Sequence, residues 1–347
     1  MADIGIGIIG AGQVAQYHLE ALAKTPEAKV ISLYDVAPDR ASRTAAAFDV
    51  SHVDQTLENL LDRSEIDAVI VATPPAAHRA QTMMALAAGR HVLCEKPFAL
   101  NASEAESMVE TANEQGRFLA VCSGRERFGV GPATAHRLIE SGELGDVYHV
   151  RTSGYRLRGR PISDNPNAGR WFVDKSQAGG GALIDIGVYL LDQVLWLLGF
   201  PRVTGVLCST YDSVGAPVSS PPGQSVEDHA VVMFSCESGV SAIVEVAWRS
   251  NIVGQDRPIV LGAKAGLRFN PLTKVTAGPN GQPVEERLLD VPDDHGTQFG
   301  EITMRFVRSV LRGEQPDTSG EQALEITRLI DAAYRSASIG RAVALSR

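Results

Sequence analysis

The sequence predicts an α/β domain with a doubly wound parallel sheet, followed by an α+β domain whose open sheet is largely antiparallel. In residues 1–122, short apolar segments alternate with helical patterns, as in parallel sheets whose strands are connected by helices. In residues 123–347, several strand-like segments follow one another without helices between them, which favours antiparallel pairing. A chain of 347 residues also exceeds one ordinary core, so we place a domain boundary between residues 122 and 123.

The elements of the first domain follow from apolar runs and from the residues that end them. Alternating isoleucines mark the first strand, Pro74 and Pro75 stop the third, and Gly89 is the expected C-cap of the helix after it. The predicted strands cover residues 4–9, 30–34, 68–71, 91–94 and 118–122. The predicted helices cover residues 14–23, 38–48, 57–62, 76–88 and 103–115.

The second domain is predicted to contain four helices and at least six strands. The predicted helices cover residues 132–141, 183–198, 298–311 and 320–338. The predicted strands cover residues 147–153, 203–210, 230–235, 240–248, 258–261 and 267–269. Residues 213–224 are rich in Ser, Pro and Gly, which predicts a surface loop.

The most informative segment is the glycine-rich turn between the first strand and the first helix. Gly10-x-Gly12-x-x-Ala15 fits the dinucleotide-binding fingerprint of Rossmann domains. Gly10 permits the turn, Gly12 lets the backbone approach a pyrophosphate, and Ala15 lets the helix pack closely on the strand. The backbone N–H groups that begin the helix, at Gln13 and Val14, are therefore expected to bind the phosphates.

Asp35 ends the second predicted strand, 23 residues after Gly12, where a Rossmann domain binds the ribose hydroxyls. A carboxylate at this position accepts from both hydroxyls and repels a 2′-phosphate, so we expect NAD in preference to NADP. Arg40 and Arg43 follow in the next helix, and NADP is possible if they reach back toward this site.

Glu95-Lys96-Pro97 directly follows a predicted strand, at the edge of a parallel sheet where ligands bind. Beside an oxidised nicotinamide, the Lys96 ammonium loses solvation and faces a like charge, so its pKa should fall toward the working range. Lys96 would then hydrogen-bond the reacting hydroxyl and help to deprotonate it. A solvated lysine paired with Glu95 is the alternative that this position disfavours.

Composition excludes several classes of protein. A net charge of −9 argues against a nucleic-acid partner. We expect no membrane-spanning segment, because Gly, Asp or Arg interrupts each of the longest apolar stretches. The four cysteines form no CxxC pair, which predicts neither a disulfide framework nor a metal site. The chain runs directly into its first strand without a signal sequence, so we expect a cytoplasmic protein.

Four segments strongly resemble the glucose–fructose oxidoreductase / inositol dehydrogenase / MocA family. They are GIIGAGQVAQYH at residues 7–18, ATPPAAH at 72–78, AGRHVLCEKPFA at 88–99 and GGGALIDIGVYLLD at 179–192. Weaker matches extend the resemblance over almost the whole chain. It implies NAD(P)-dependent hydride transfer on a sugar, cyclitol or related polyol, and a homodimer or homotetramer whose subunits cover the open sheet.

The last of these segments contributes the remaining candidate catalytic residues. Asp185 and Tyr189 are spaced i and i+4, so they share a helix face, to which Asp192 adds at i+7. Many members of the family have histidine where this chain has Tyr189, although some branches carry tyrosine. The resemblance implies that Tyr189 exchanges the proton beside Lys96, and that Asp185 orients Lys96 or a sugar hydroxyl. Packing of Tyr189 beneath the sheet is the alternative.

The resemblance also assigns further binding positions. Thr73, Pro74 and His78 match positions along the path of the adenosine and nicotinamide ribose, and Ser123 matches a position that holds the carboxamide. Glu95 and Lys96 are placed in the same cofactor site. Trp171, Asp185, Tyr189 and Asp192 are the expected substrate contacts; for Trp171, packing at the domain junction is nearly as well supported.

Two other functions remain open from the sequence. One is an enzyme acting on less polar alcohols, similar to dihydrodiol or xylose dehydrogenases. The other is a nucleotide-binding regulator without turnover, which the presence of both Lys96 and Tyr189 disfavours.

Overall fold

The computed structural model describes residues 4–157, 170–212, 226–252, 258–290 and 297–345, and these residues form two compact units. The first unit comprises residues 4–125 and 297–327. The second unit comprises the remaining described residues, from 126 to 290 and from 328 to 345. The predicted surface loop at residues 213–224 lies outside the described residues.

The first unit is built on six parallel strands. They are β1 Ile4–Ile9, β2 Ala28–Tyr34, β3 His52–Val53, β4 Ala68–Val71, β5 His91–Cys94 and β6 Leu119–Val121. Their order is β3-β2-β1-β4-β5-β6, which is the order of a doubly wound Rossmann sheet. The order reverses between β1 and β4, so the carboxyl ends of these strands form the crevice where such sheets bind ligands. The predicted fold class of this domain is confirmed.

Helices connect these strands and begin where the sequence provides a suitable residue. They are α1 Gln13–Leu22, α2 Pro38–Ala47, α3 Leu57–Leu61, α4 Pro75–Ala87 and α5 Ala102–Gln115. Thr56 caps α3 by accepting from the backbone N–H of Asn59, and Asn101 caps α5 by accepting from that of Glu104. The central strands β1, β4 and most of β5 are buried, as expected for strands covered by helices on both faces.

The first unit also includes a C-terminal segment that the sequence analysis assigns to the second domain. Helix α9 Thr297–Arg312 packs on α1 and also contacts β5. The first turns of α10 Gly320–Ile339 contribute Ala323 and Leu324 to the core of the same unit. Contacts between residues far apart in the sequence determine this grouping, and a boundary drawn from local patterns does not reveal it.

The second unit is built on a nine-stranded sheet. Its strands are β7 Val147–Leu157, β8 Val203–Tyr211, β9 His229–Cys236, β10 Ser241–Ser250, β11 Ile259–Gly262, β12 Gly266–Arg268, β13 Leu272–Ala277, β14 Pro283–Leu289 and β15 Val343–Ala344. Their order is β14-β13-β12-β11-β7-β10-β9-β8-β15. All pairs are antiparallel except β7 with β10, so the sheet is mixed and mostly antiparallel, which agrees with the predicted fold class.

The second unit also contains helical segments, some of which pack on one face of this sheet. They include α6 Val130–Glu140, α7 Lys175–Ala178 and α8 Val188–Leu197, and a π-helical turn at Leu183–Gly187 directly precedes α8. Both the turn and α8 contact β10, where Ala242, Val244 and Val246 are buried. The strand residues between them, such as Ile243 and Glu245, point to the other face and are only partly buried.

One helical segment has the length and composition of a membrane span, although Gly and Asp residues interrupt it, as the sequence predicts. The helical segment Lys175–Leu197 has 23 residues and a mean hydropathy of 1.4, which is long and apolar enough to span a membrane by these two measures. Of its most apolar window, 94% is buried inside the protein. Packing in the protein core therefore explains why this segment is apolar.

Candidate functional site

The glycine turn joins β1 to α1 and depends on the absence of side chains. Gly10 has φ +96°, and a Cβ there would lie 2.6 Å from the carbonyl oxygen of Ala72, so this position requires glycine. Gly12 is the N-cap of α1, and no described side chain caps the helix there. A Cβ at Gly12 would meet no described heavy atom within 4 Å. The N-terminus of α1 is therefore uncapped and has space beside Gly12, which fits a pyrophosphate bound by the N–H groups of Gln13 and Val14.

Asp35 lies at the end of β2, as predicted, but its carboxylate is already engaged. Oδ2 accepts from the backbone N–H of Ala11 at 2.8 Å and from Arg40 Nε at 3.0 Å. Oδ1 accepts from the backbone N–H of Ala37 at 2.8 Å and from Arg40 Nη2 at 2.6 Å. Burial alone would raise the pKa of Asp35, yet these hydrogen bonds and the guanidinium charge lower it.

Thr73 and Pro74 follow β4 at the crevice and are half-buried. The Thr73 hydroxyl donates to Oε1 of Gln81 at 2.6 Å, which fixes the loop to α4. Lys96 directly follows β5, which pairs with β4, so all three residues lie at the same carboxyl edge of the parallel sheet. This placement agrees with the predicted cofactor site.

His78 is fully buried rather than exposed on a helix surface. Its Nδ1 lies 2.9 Å from the carbonyl oxygen of Pro97, and its Nε2 lies 2.8 Å from that of Thr73. Burial lowers the pKa of the His78 imidazole. The ring therefore joins the loop after β4 to the segment that contains Lys96, and its nitrogens give no support to a direct cofactor contact.

Glu95 points into the first unit and is 3% exposed. Its Oε1 lies 3.1 Å from His18 Nε2, and its Oε2 accepts from the backbone N–H of Lys96 at 2.9 Å. The Nδ1 of His18 lies 2.8 Å from the hydroxyl oxygen of Thr303 in α9. Sequence reasoning does not single out His18, although a histidine within the apolar stripe of α1 (Ala15, Leu19, Leu22) is an available signal.

The same region contains a cluster of potential metal ligands. Among the described residues, His18, Glu95 and Cys122 place ligand atoms within 4.8 Å of one another. Burial raises the pKa of the Cys122 thiol well above its ordinary value, with a further increase from the charge of Glu95. A protonated thiol is a poor metal ligand, and His18 and Glu95 already bond to each other. The cluster therefore fits a hydrogen-bond network better than a metal centre.

Ser123 and the four cysteines are buried. Ser123 belongs to a 3₁₀-helix at Cys122–Phe128, whereas the sequence analysis extends the preceding strand to residue 122. Cys94, Cys122, Cys208 and Cys236 are all free thiols. Burial raises the pKa of Cys208 to about 12 and that of Cys236 to about 11, so neither is a nucleophile near neutral pH.

Asp185 and Tyr189 lie in different helical forms. Asp185 is in the π-helical turn and Tyr189 is in α8, so a π-helical turn interrupts the continuous α-helix that the sequence predicts here. Both are buried, with 4% and 6% exposure. Asp185 Oδ2 accepts from the indole N–H of Trp248 at 2.9 Å, and Arg156 Nη1 lies 3.8 Å from the same oxygen. Trp248 is a further residue that the sequence analysis does not identify.

Glu227 fixes the start of the π-helical turn. Its Oε2 accepts from the backbone N–H of Gly181, and its Oε1 accepts from that of Leu183, both at 2.9 Å. The Tyr334 hydroxyl donates to Oε1 at 3.0 Å. A Cβ at Gly181 would overlap with the Glu227 backbone, and one at Gly180 would overlap with the Tyr334 ring. These two glycines therefore allow close internal packing at the start of the turn.

Asp192 does not support its predicted substrate contact. It is completely buried, and its Oδ1 and Oδ2 accept from Arg127 Nε and Nη2 at 2.5 and 2.8 Å. This bidentate ion pair engages both carboxylate oxygens of Asp192, which favours a structural role for the residue. Trp171 is partly buried and stacks on Phe172 with ring centroids 3.7 Å apart; its predicted sugar contact stays a prediction.

Comparisons with known families agree with this architecture. Residues 4–123 match the family described as the oxidoreductase family with an NAD-binding Rossmann fold. Residues 133–268 match the GFO/IDH/MocA C-terminal domain. The chain belongs to the GFO/IDH/MocA family. The resemblance in the sequence analysis is thereby confirmed, and the protein is an enzyme of the oxidoreductase class.

Individual relatives extend over the whole chain. The sequence is 29% identical to D-glucoside 3-dehydrogenase of Escherichia coli (strain K12), over 99% of this chain and 98% of that protein. The structure of GenD2 from gentamicin A biosynthesis in complex with NAD has a TM-score of 0.83 and 26% identity, and the match covers 100% and 97% of the two chains. That of levoglucosan dehydrogenase with NADH has a TM-score of 0.88 at 20% identity, covering 99% and 100%, and shows the shared fold.

Proposed function

We propose that this enzyme transfers a hydride between NAD and a carbon that bears a hydroxyl group in a sugar, glycoside, cyclitol or related polyol. One observation carries the proposal. Lys96 follows β5 at the same sheet edge at which the uncapped N-terminus of α1 adjoins open space beside Gly12. An anion-binding helix terminus and a lysine at one edge fit a dinucleotide and a reacting hydroxyl. The named activity of the E. coli relative, on D-glucosides, supports the substrate class.

The residues present fit the cofactor. The backbone N–H groups of Gln13 and Val14 would bind its phosphates, and Asp35 would receive a ribose hydroxyl if Arg40 moved aside. Thr73, Pro74 and Ser123 would lie along its remaining length. Bound NAD supplies the acceptor for the hydride that leaves the substrate carbon. We expect NAD to bind more tightly than NADP, because the carboxylate of Asp35 repels a 2′-phosphate.

The chain's own residues handle the proton. In oxidation, the substrate O–H bond loses its proton while the C–H bond loses its hydride, and a carbonyl group forms. We assign Lys96 to hold the hydroxyl oxygen with its ammonium group, Tyr189 to accept the proton as a phenolate, and Asp185 to orient a sugar hydroxyl. The bond from Trp248 fixes Asp185 for such a role and keeps one of its oxygens engaged.

Paired substitutions test the two proton-handling roles. Lys96→Ala and Tyr189→Phe should each lower kcat by about 10²–10⁴, the usual loss when a positioned proton-transfer group is removed. The matched controls are Lys24→Ala and Tyr148→Phe, which change exposed residues of the same types and should leave kcat unchanged. Tyr189→His should restore part of the activity with a pH profile shifted to lower pH, because imidazole has the lower pKa. Wild-type kcat in Lys96→Ala would remove Lys96 from the mechanism.

A substrate panel tests the class of substrate. Methyl α-D-glucopyranoside, levoglucosan, myo-inositol, D-xylose and a hydrophobic diol are incubated with NAD, and the absorbance of the reduced nicotinamide is followed. Turnover of the sugars or of inositol is the expected result. Preference for the diol would favour the less polar alcohols, and NAD binding without any turnover would favour a nucleotide-binding regulator.

A further inference from the structure

A buried chain of hydrogen bonds in the first unit ends at the backbone of Lys96. It runs from the Thr303 hydroxyl to His18 Nδ1 over 2.8 Å, and from His18 Nε2 to Glu95 Oε1 over 3.1 Å. The other oxygen of Glu95 accepts from the Lys96 backbone N–H at 2.9 Å. His18 and Thr303 are fully buried, so water cannot replace either bond.

The chemistry of the groups fixes the direction of the bonds to Glu95. Burial alone would raise the pKa of Glu95, but His18 and Lys96 lower it to about 2, so the carboxylate is ionised and only accepts. His18 Nε2 must therefore carry the hydrogen that it shares with Glu95. The Thr303 hydroxyl can donate to or accept from Nδ1, so it satisfies the second ring nitrogen of His18. Every member of the chain is satisfied, which makes a buried polar network rigid.

This network joins three separate elements to the lysine. His18 lies in α1, the helix whose N-terminus begins beside Gly12, and Thr303 lies in α9. Glu95 follows β5 and bonds to the residue after it. The charge of Glu95 interacts with five titratable groups around it, which are His18, His78, Lys96, Cys94 and Cys122. Without His18, Oε1 of the carboxylate would lose a donor that it cannot recover from solvent, while Oε2 would keep only its bond to the Lys96 backbone among the bonds of this chain.

We propose that His18 is a positioning residue for Lys96, acting through Glu95; the catalytic part of this proposal rests on the proposed function of Lys96. The imidazole does not contact the reacting atoms. It holds the Glu95 carboxylate in the orientation that fixes the Lys96 peptide, and thereby the direction in which the lysine side chain leaves the backbone.

The first test measures the Lys96 amide itself and needs no substrate. The sequence has six lysines, so selective ¹⁵N-lysine labelling gives a simple spectrum in which hydrogen exchange of each amide is followed. In His18→Leu, which keeps side-chain bulk but has no donor, the Lys96 amide should exchange at least about tenfold faster. In His18→Gln, which retains an N–H donor near the Nε2 position, exchange should stay within about twofold of wild type. The amides of Lys24 and Lys29 report on the stability of the unit as a whole.

Two results would overturn the proposal. One is unchanged exchange of Lys96 in His18→Leu. The other is a Lys96 amide that already exchanges in wild type as fast as in the unfolded chain. If His18→Leu does not fold, Thr303→Val takes its place, with Thr303→Ser as the control that keeps the hydroxyl; only the valine variant should accelerate Lys96 exchange.

The second test separates positioning from general damage. With NAD and methyl α-D-glucopyranoside, His18→Leu should lower kcat about tenfold or more and shift the pH profile of kcat, while His18→Gln restores both. The Kd of NAD should change less than about twofold, because the phosphate site is unaltered. An equal loss of kcat at every pH would contradict positioning. Full activity of Lys96→Ala would instead refute the proposed function and leave the exchange result standing.

Discussion

The Asp35 carboxylate accepts four hydrogen bonds, two on each oxygen, which is about the number that its lone pairs provide. Two of the four come from Arg40, whose side chain is 47% exposed and free to rotate into solvent. The two from Ala11 and Ala37 are backbone bonds that hold the carboxylate in place. A ribose hydroxyl therefore competes with Arg40 for Asp35, whereas a 2′-phosphate would find in Arg40 a cation to pair with.

Arg40→Ala should for this reason increase the preference for NAD over NADP by at least about tenfold, measured as the ratio of the two Kd values. The substitution frees two lone pairs of Asp35 for ribose and removes the cation that would bind the phosphate. Arg43→Ala is the matched control, because Arg43 is an exposed arginine of the same helix and donates none of the four bonds to Asp35. An unchanged ratio in Arg40→Ala would show that Arg40 does not contribute to the choice of cofactor.

The depressed pKa of Glu95 makes stability depend on pH. Its value is about 2 in the folded protein against an ordinary 4.5, so the ionised form stabilises the fold above about pH 4.5, and this contribution is lost as the pH falls toward 2. The contribution is at most about 3 kcal/mol. Glu95→Gln should destabilise the protein at neutral pH, and the difference from wild type in the free energy of unfolding should shrink between pH 4.5 and 2.

Glu20→Gln is the control for this measurement, since Glu20 is an exposed carboxyl in α1. It should shift the unfolding free energy little at any pH. Curves of unfolding free energy that stay parallel for wild type and Glu95→Gln across the acid range would show that Glu95 is not the group responsible.

At single residues, the sequence predicts positions better than contacts. The glycine turn, Asp35 and Lys96 lie where the fingerprint and the strand ends predict, because these depend on local order. Asp192 and His78 lie on the predicted helices, but the structure gives them protein partners that the sequence does not indicate. The arginine that engages Asp192 lies 65 residues away in the sequence, and no local pattern indicates such a pairing.

Among the elements, the π-helical turn departs most from the sequence prediction. A continuous helix over 183–198 is the natural interpretation of its apolar pattern, since π-turns have no composition of their own. Glu227 explains the local structure, because its carboxylate binds the N–H groups of Gly181 and Leu183 at the start of the turn. Its partners lie more than forty residues earlier in the chain.

The same packing predicts the effect of a small substitution. Gly181→Ala should destabilise the protein by more than about 3 kcal/mol, because its methyl group would overlap with the backbone of Glu227, which cannot rotate away. Gly205→Ala in β8 is the matched control: its nearest atom would be the Ser235 hydroxyl oxygen at 3.3 Å. Thermal unfolding of both variants checks this, and an equal shift in Tm for the two would contradict the close packing at Gly181.

Edge elements were also beyond the reach of the sequence patterns. The two-residue strands β3 and β15 are too short to have a period, and β14 is mostly exposed, with three charged residues among its seven. These three strands form because they pair with neighbouring strands, and not because of a pattern in their own residues. The long apolar strands of both sheets, by contrast, were predictable because burial on one or both faces gives a pattern of its own.

At the scale of the whole molecule, the face of the nine-stranded sheet that the helices leave open bears on how the chain associates with other surfaces. Along one row across this face, Leu207 lies opposite Met233, Met233 opposite Ile243, and Ile243 opposite Arg151. Leu207 and Met233 are 47% and 45% exposed within the chain. A row of exposed apolar side chains on a sheet whose other face is covered by helices favours contact with another surface.

We expect a second copy of the chain to cover this face, as in a homodimer or homotetramer. In a two-fold interface each residue of the patch meets the same patch on its partner, so one substitution introduces two charges into the contact. Met233→Asp should therefore convert the oligomer to a monomer in light scattering at micromolar concentration, with the fold of each chain intact by circular dichroism. Val284→Asp, at an equally exposed valine of the edge strand β14, should leave the mass unchanged. A wild-type protein that is monomeric at this concentration would refute the expectation, and an oligomer that survives Met233→Asp would place the interface on another surface.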